Sequence, residues 1–117
     1  MIPDHWLPHH RDEDGELIGY LRPEEDRHVP VTLFGRPLAE ALDEDEARST
    51  LDSRGLSYLA DHWWLTLPER EEPVRVQIVE VTPQRMRVAN TDFGYEEADY
   101  GHIFVLDVPE TGRLRAS

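Results

Sequence analysis

Alternation of apolar and polar residues with a period of two dominates the second half of the chain and predicts β-strands there. Over residues 74–90, apolar side chains alternate with polar ones on both sides of a turn at residues 82–84. A loop with an odd number of residues gathers Val74, Val76, Ile78, Met86 and Val88 on one face, so we predict a hairpin of that register. The opposite face then carries Arg75, Gln77, Val79, Val81, Arg85 and Arg87.

Shorter apolar runs predict further strands over residues 16–22, 28–34, 56–67 and 102–108. The last of these runs is apolar on both faces, a pattern typical of a strand that is central in its sheet or that lies between a sheet and a covering helix. Trp63 and Trp64 are adjacent, so their rings point to opposite faces of an extended strand and only one of them enters a single core. Residues 113–117 either add a short final strand or fray.

One helix is predicted between Asp43 and Gly55. Asp43 is a suitable N-cap with Glu46 three positions later, which is the pattern of a capping box. Ala47 and Leu51 are four residues apart and share one face, and Gly55 is a typical helix stop. A helix of about three turns must pack against another element to be stable.

These elements indicate a mainly β fold of the α+β class with one short helix. We expect a small antiparallel sheet that forms a partly closed barrel or roll, with the helix across one opening. Residues 1–15 show no periodic pattern. We therefore predict an irregular N-terminal segment over residues 1–15 and a single small β-rich domain over residues 16–117.

The composition narrows the classes of function. The 117 residues include 25 Asp+Glu, 12 arginines, no lysine and no cysteine, which gives a formal net charge of −13. The absence of cysteine excludes disulfides and thiolate metal sites. A chain this acidic repels phosphate and anionic lipid, so we expect neither a nucleic-acid nor a membrane partner. The sequence has no apolar run of the length that spans a membrane, and its first five residues lack the pattern of a secretory signal, so we expect a cytoplasmic location. Arginine without lysine is typical of a GC-rich bacterial genome, and an acidic excess is typical either of a protein with a basic partner or of one adapted to high salt.

The N-terminal histidines are candidate metal ligands. His5, His9 and His10 offer imidazole nitrogens close to several carboxylates in the sequence. Pro8 disfavours the helix that would place His5 and His9 one turn apart. We therefore expect a solvated segment rather than a metal site, and no cofactor.

A second group of residues provides candidates for acid–base catalysis. His62 precedes the two tryptophans, and a histidine beside aromatic walls and a carboxylate can act as a general base. Asp99 and His102 are its candidate partners, so a catalytic site requires His62 and His102 to converge. The alternative is a half-buried strand histidine that packs against tryptophan.

Aromatic rings and arginines form the candidate binding residues. The tandem tryptophans leave one ring outside the core, and the acidic loop that follows residue 90 holds rings whose faces can bind cations. The hairpin arginines either bind a carboxylate or phosphate group or pair with glutamates of the same chain. The candidates are Tyr58, Trp63, Trp64, Arg75, Arg85, Arg87, Tyr95 and Tyr100.

Three functional hypotheses follow from the sequence. The first is a non-catalytic binding module that associates with a protein partner or with itself, in its sharper form an inhibitor or immunity-like protein whose acidic surface neutralises a basic partner. The second is a small hydrolase or lyase that uses histidine and carboxylate, with or without a metal. The third is a barrel that binds a small ligand in its mouth.

Overall fold

The computed structural model describes residues 1–68, 71–92, 99–110 and 112–116, and within them the strands form two antiparallel sheets. The first sheet consists of β1 (Leu7–His10), β2 (Leu17–Glu24) and β3 (Arg27–Val31), in the order β1-β2-β3. The second consists of β4 (His62–Leu65), β5 (Val74–Val81), β6 (Arg85–Asn90), β7 (Ile103–Asp107) and β8 (Leu114–Ala116). Its order is β7-β6-β5-β4-β8.

The fold is mainly β, as the sequence predicts, but the described strands do not close into a barrel. Each sheet keeps its own two edges, because no ladder joins a strand of one sheet to a strand of the other. The expected partly closed barrel is therefore replaced by two sheets that share a core. Neither helical segment in the described part of the chain has the length and apolar character needed to cross a membrane.

The predicted helix is confirmed as α1 (Glu44–Arg54), and it covers one face of the three-stranded sheet. The Asp43 side chain accepts a hydrogen bond from the Glu46 backbone N–H at 2.8 Å, which satisfies one of the free donors of the first turn. Ala47 and Leu51 are buried against Ile18 and Leu21 of β2. Burial of this apolar stripe supplies the support that so short a helix needs.

The main core lies between the two sheets and is centred on aromatic rings. The Phe34 ring contacts Tyr58 and Trp63 edge to face, with centroids 5.8 and 5.6 Å away. The Tyr58 hydroxyl accepts a hydrogen bond from the Leu33 N–H and donates one to the Ile18 carbonyl. Tyr58 thereby connects the segment before β4 to the three-stranded sheet.

The predicted hairpin is confirmed as β5 and β6, with its five predicted apolar side chains buried. Near the turn, the pairing register of the two strands differs from the predicted one. Val81 lies opposite Met86, the register of an even-numbered loop, and a β-bulge at Val79 shifts the pairing so that Ile78 lies opposite Val88. The prediction that Val81 lies on the opposite face is wrong, because the bulge turns its side chain toward the core.

Two further predictions from the pattern need correction. No strand was expected before residue 16, yet β1 pairs with β2, and Ile2 and Trp6 are buried in the main core. The proline and histidines of β1 interrupt the alternation of apolar and polar residues, so the pattern does not predict this strand. The strand expected over residues 56–67 is shorter, because Ser57–Ala60 forms a 3-10 helix and β4 begins only at His62.

Candidate binding surface

The five-stranded sheet has one face in the core and one that faces away from it. The alternation along β5 makes Val74, Val76 and Ile78 buried and leaves Arg75 and Gln77 exposed. The helix packs on the other sheet, so no described element covers this second face. We call it the outer face, and define it by His62, Trp64, Arg75, Gln77, Val79, Glu80, Arg85, Arg87, Ile103, Val105, Asp107 and Arg115.

Trp64 lies on the outer face between two arginines. Its partner in the register with β5 is Arg75, and its partner in the register with β8 is Arg115. The Arg75 guanidinium carbon lies 5.4 Å from the centroid of the Trp64 ring, which is a cation–π contact. The indole is half-buried and its polar neighbours are exposed, so this part of the surface offers an aromatic ring beside fixed positive charge.

The hairpin end of the outer face contains a second pair of arginines. Arg85 and Arg87 line an open groove of about 650 Å³, together with Val105 and Glu80. Asp107 lies opposite Arg85 in the register of β6 and β7. Four arginines against two carboxylates give the outer face a net charge of +2 in a chain of −13. The face is therefore a local basic surface, and guanidinium forks bind carboxylate and phosphate groups through paired hydrogen bonds.

Exposed valines separate the arginines on the outer face. Val79 is 57% exposed because it alternates with the buried Ile78 along β5, and Val105 on β7 is 55% exposed. A surface that combines an aromatic ring, aliphatic side chains and arginines has the composition of protein–protein interfaces. Sites that enclose a small ligand are deep clefts or cavities, whereas the groove on the outer face is open.

The structure separates the candidate binding residues into two groups. Trp64, Arg75, Arg85 and Arg87 come together on the outer face, as the opposite orientation of the two tryptophans predicts. Trp63 is buried instead, and its indole N–H donates to the Tyr58 carbonyl oxygen at 3.1 Å.

Tyr58 also belongs to the core, and burial raises the pKa of its hydroxyl to about 12. Tyr100 is 58% exposed in the loop before β7, and Tyr95 lies outside the described residues.

Sequence reasoning missed Arg115 as part of this surface. Residues 113–117 carry too little alternation to identify a strand, and nothing local indicates that β8 pairs with β4. Only the order of strands in the sheet places Arg115 beside Trp64, which is a contact between distant parts of the chain.

The catalytic candidates do not meet in the structure. His62 begins β4, and His102 immediately precedes β7, so β5 and β6 lie between them. At about 4.8 Å for each strand spacing, the two positions are roughly 14 Å apart. The His102 ring contacts Phe104 edge to face at 5.0 Å, and Asp99 accepts the His102 backbone N–H through its own carbonyl oxygen rather than its carboxylate.

The N-terminal histidines are likewise separated in the structure. His9 is buried, whereas His5 and His10 are exposed. The His9 Nε2 is 2.8 Å from Asp52 Oδ1, and Arg48 donates to the Nδ1 at 3.1 Å. Because arginine only donates, Nε2 carries the proton and both ring nitrogens are engaged.

His9 therefore links β1 to α1. In the described ranges, no three histidine or acidic side chains are grouped to hold a metal ion.

Comparison of the chain with protein-family models, curated proteins and solved structures finds no match. The function must therefore be argued from the surface itself.

Proposed function

We propose that this protein is a non-catalytic binding module, and that its outer face binds a carboxylate-rich segment of a partner protein. The observation that carries the proposal is Trp64 on an exposed sheet face, with the Arg75 guanidinium over its ring and Arg115 opposite it in the register of β4 and β8. An aromatic ring fixed beside guanidinium groups can cover the apolar part of a partner while the arginines pair with its carboxylates. The exposed Val79 and Val105 extend the apolar area.

The experiment uses two synthetic peptides of equal length, one rich in glutamate and one rich in lysine, both with interspersed apolar residues. Calorimetric titration at low salt measures the dissociation constant of each. We expect the acidic peptide to bind. Added salt screens both the contacts at the outer face and the long-range repulsion between the peptide and a chain of −13, so the site is located by variants rather than by the salt response.

A matched pair of double variants locates the binding site. Arg85→Gln with Arg87→Gln removes two positive charges from the outer face, and Arg27→Gln with Arg54→Gln removes two from exposed positions elsewhere. We expect Arg85→Gln with Arg87→Gln to weaken binding of the acidic peptide by at least about tenfold, because each substitution removes a charge-assisted hydrogen bond. An equal loss of affinity for the acidic peptide in the two double variants would contradict a site on the outer face.

A second candidate function places a basic partner on the opposite part of the molecule. Residues 1–66 hold 15 acidic side chains against 6 arginines. A groove of about 400 Å³ beside β2 and β3 is lined by Glu24, Glu40 and Val29, and also by Arg22, whose guanidinium lies 3.6 Å from the Glu24 carboxylate. These features favour a lysine- or arginine-rich segment, as expected for an inhibitor or immunity-like protein.

The same titrations distinguish the two candidates. The second candidate function would be supported if the basic peptide binds and if Glu24→Gln with Glu40→Gln abolishes that binding. Glu71→Gln with Glu72→Gln provides a control with the same change of charge away from that groove.

A further inference from the structure

Strand β7 has the sequence of an interior strand but lies at the edge of its sheet. Its residues Ile103 to Leu106 are apolar on both faces, and within the described residues its only ladder is with β6. Val105 is 55% exposed, because its side chain lies on the outer face of the sheet. The prediction of an interior strand is thus not met within one chain, and a further strand beside β7 would meet it.

The other three sheet edges each have a feature that hinders pairing with another chain. Strand β8 has three residues, and β1 contains Pro8 and lies against a bulge in β2. Strand β3 contains Pro30, and bridges to Leu42 and Pro37 cover its outer side. Short strands, prolines, bulges, covering loops and charged side chains are the means by which proteins protect sheet edges. Within the described residues, β7 has only the last of these, in Asp107 at its end.

The hydrogen-bond pattern defines which groups of β7 face outward. Asn90 donates its N–H to the His102 carbonyl, and Val108 donates to the Gln84 carbonyl. In an antiparallel ladder, alternate residues bond to the same neighbour, so the even-numbered residues of β7 bond to β6. The N–H and C=O groups of Ile103, Val105 and Asp107 therefore point away from the sheet.

We propose that the protein forms a symmetric dimer in which β7 pairs antiparallel with β7 of a second copy, with Val105 on the two-fold axis. The three outward-facing residues are centred on Val105, so the edge is complementary to itself. Val105 pairs with the partner subunit's Val105, and Ile103 pairs with the partner subunit's Asp107. This register forms up to about six hydrogen bonds and joins the two sheets into one.

The charges along β7 are compatible with this register. Asp107 faces the partner subunit's Ile103, so no two like charges lie opposite each other, and Arg85 is its cross-strand neighbour within the chain. At long range, two chains of −13 repel each other. Salt screens that repulsion, so the dimer strengthens as the salt concentration rises.

The expected dimer is weak because the edge is short. Five residues on each side bury less than the roughly 1,200 Å² typical of stable interfaces. We expect a dissociation constant of about 10 µM or weaker, so sedimentation equilibrium over a range up to about 1 mM protein measures it. The expected result is a mass that rises with concentration from 13.6 kDa toward twice that value.

Single cysteines test the register, because the chain contains no other cysteine. In a pair of this type the Cα atoms are about 5.5 Å apart, within the range of a disulfide. Val105→Cys should oxidise to a cross-linked dimer, whereas Val79→Cys, equally exposed on the same face but on β5, should remain largely monomeric. Equal cross-linking of both variants, or none at position 105, would overturn the proposal.

Charge variants of the same two valines provide a second test that does not depend on oxidation. Val105→Glu places two carboxylates beside the two-fold axis and should weaken self-association by at least about tenfold, whereas Val79→Glu should leave it unchanged within about twofold. Circular dichroism verifies that both variants fold. A monomeric wild-type protein at 1 mM, or a dimer insensitive to Val105→Glu, would refute the β7 interface.

These outcomes are separate from those of the proposed function. Arg85→Gln with Arg87→Gln should weaken peptide binding, whereas the rise of mass with protein concentration is measured without any peptide and reports self-association alone.

Discussion

At the scale of single residues, Gly19 is the position where the backbone leaves least space. A Cβ atom at this position would lie 2.5 Å from the Val31 carbonyl oxygen and 2.8 Å from Leu51 Cδ2. We expect Gly19→Ala to lower the free energy of unfolding by about 1–3 kcal/mol, because β3 and α1 must both move. Gly112→Ala is the control, since no heavy atom lies within 4 Å of its Cβ position. Urea unfolding measures both, and equal stabilities would contradict the close approach of β2, β3 and α1.

Tyr58 provides a prediction of how stability depends on pH. Burial raises the pKa of its hydroxyl in the folded protein to about 12, whereas the value in the unfolded chain is near 10. Between pH 10 and pH 12 the Tyr58 hydroxyl is protonated more often in the folded protein than in the unfolded chain. The stability that this protonation contributes is therefore complete below pH 10 and is lost as the pH rises toward 12. Urea unfolding at pH 8, 10 and 11 should show this decline.

Tyr58→Phe identifies the group responsible. The variant should be about 1–3 kcal/mol less stable at pH 8, because the Leu33 N–H loses its acceptor, and its stability should change less between pH 10 and 11. Burial also raises the pKa of Tyr20, so part of the decline should persist. An unchanged slope in the variant would assign the whole effect to Tyr20 or to other groups.

At the scale of secondary-structure elements, the N-cap of α1 has a measurable contribution. Asp43→Ala removes the acceptor of the Glu46 N–H and should reduce stability by about 1 kcal/mol. Asp45→Ala is the matched control, because it removes the same charge from the first turn but no N-cap bond is assigned to it. Thermal unfolding should therefore show a clearly larger decrease for Asp43→Ala. A similar decrease for both would mean that the helix dipole, not the cap, accounts for the effect.

The elements predicted correctly are those specified by local sequence. Asp43 and Gly55 bound α1 through bonds within a few residues, and the apolar alternation around a short turn defines the hairpin of β5 and β6. The opposite orientation of Trp63 and Trp64 follows from strand geometry alone. The order of strands does not follow, because the pairing of β8 with β4 joins segments about 50 residues apart. For the same reason, Trp64, Arg75 and Arg87 could be proposed from the sequence but Arg115 could not.

At the scale of the whole molecule, net charge opposes folding. The chain carries −13, and the arginine–carboxylate salt bridges among the described residues engage Asp14, Glu24 and Glu44. Because these pairs have exposed partners, each contributes little, whereas repulsion among the acidic side chains acts over the whole surface. Salt that screens charge should therefore stabilise the protein rather than destabilise it.

We expect the midpoint of thermal unfolding to rise by several degrees as NaCl increases from about 10 mM to about 0.3 M and then to level off, since the Debye length is already near 10 Å at 0.1 M. Measurement at about 1 µM protein keeps self-association from contributing. Sucrose at matched osmolality is the control, because it stabilises by exclusion from the surface without screening. A midpoint that stays constant or falls over this range of NaCl would show that the ion pairs outweigh the repulsion. The excess of acidic side chains would then have no measurable effect on stability.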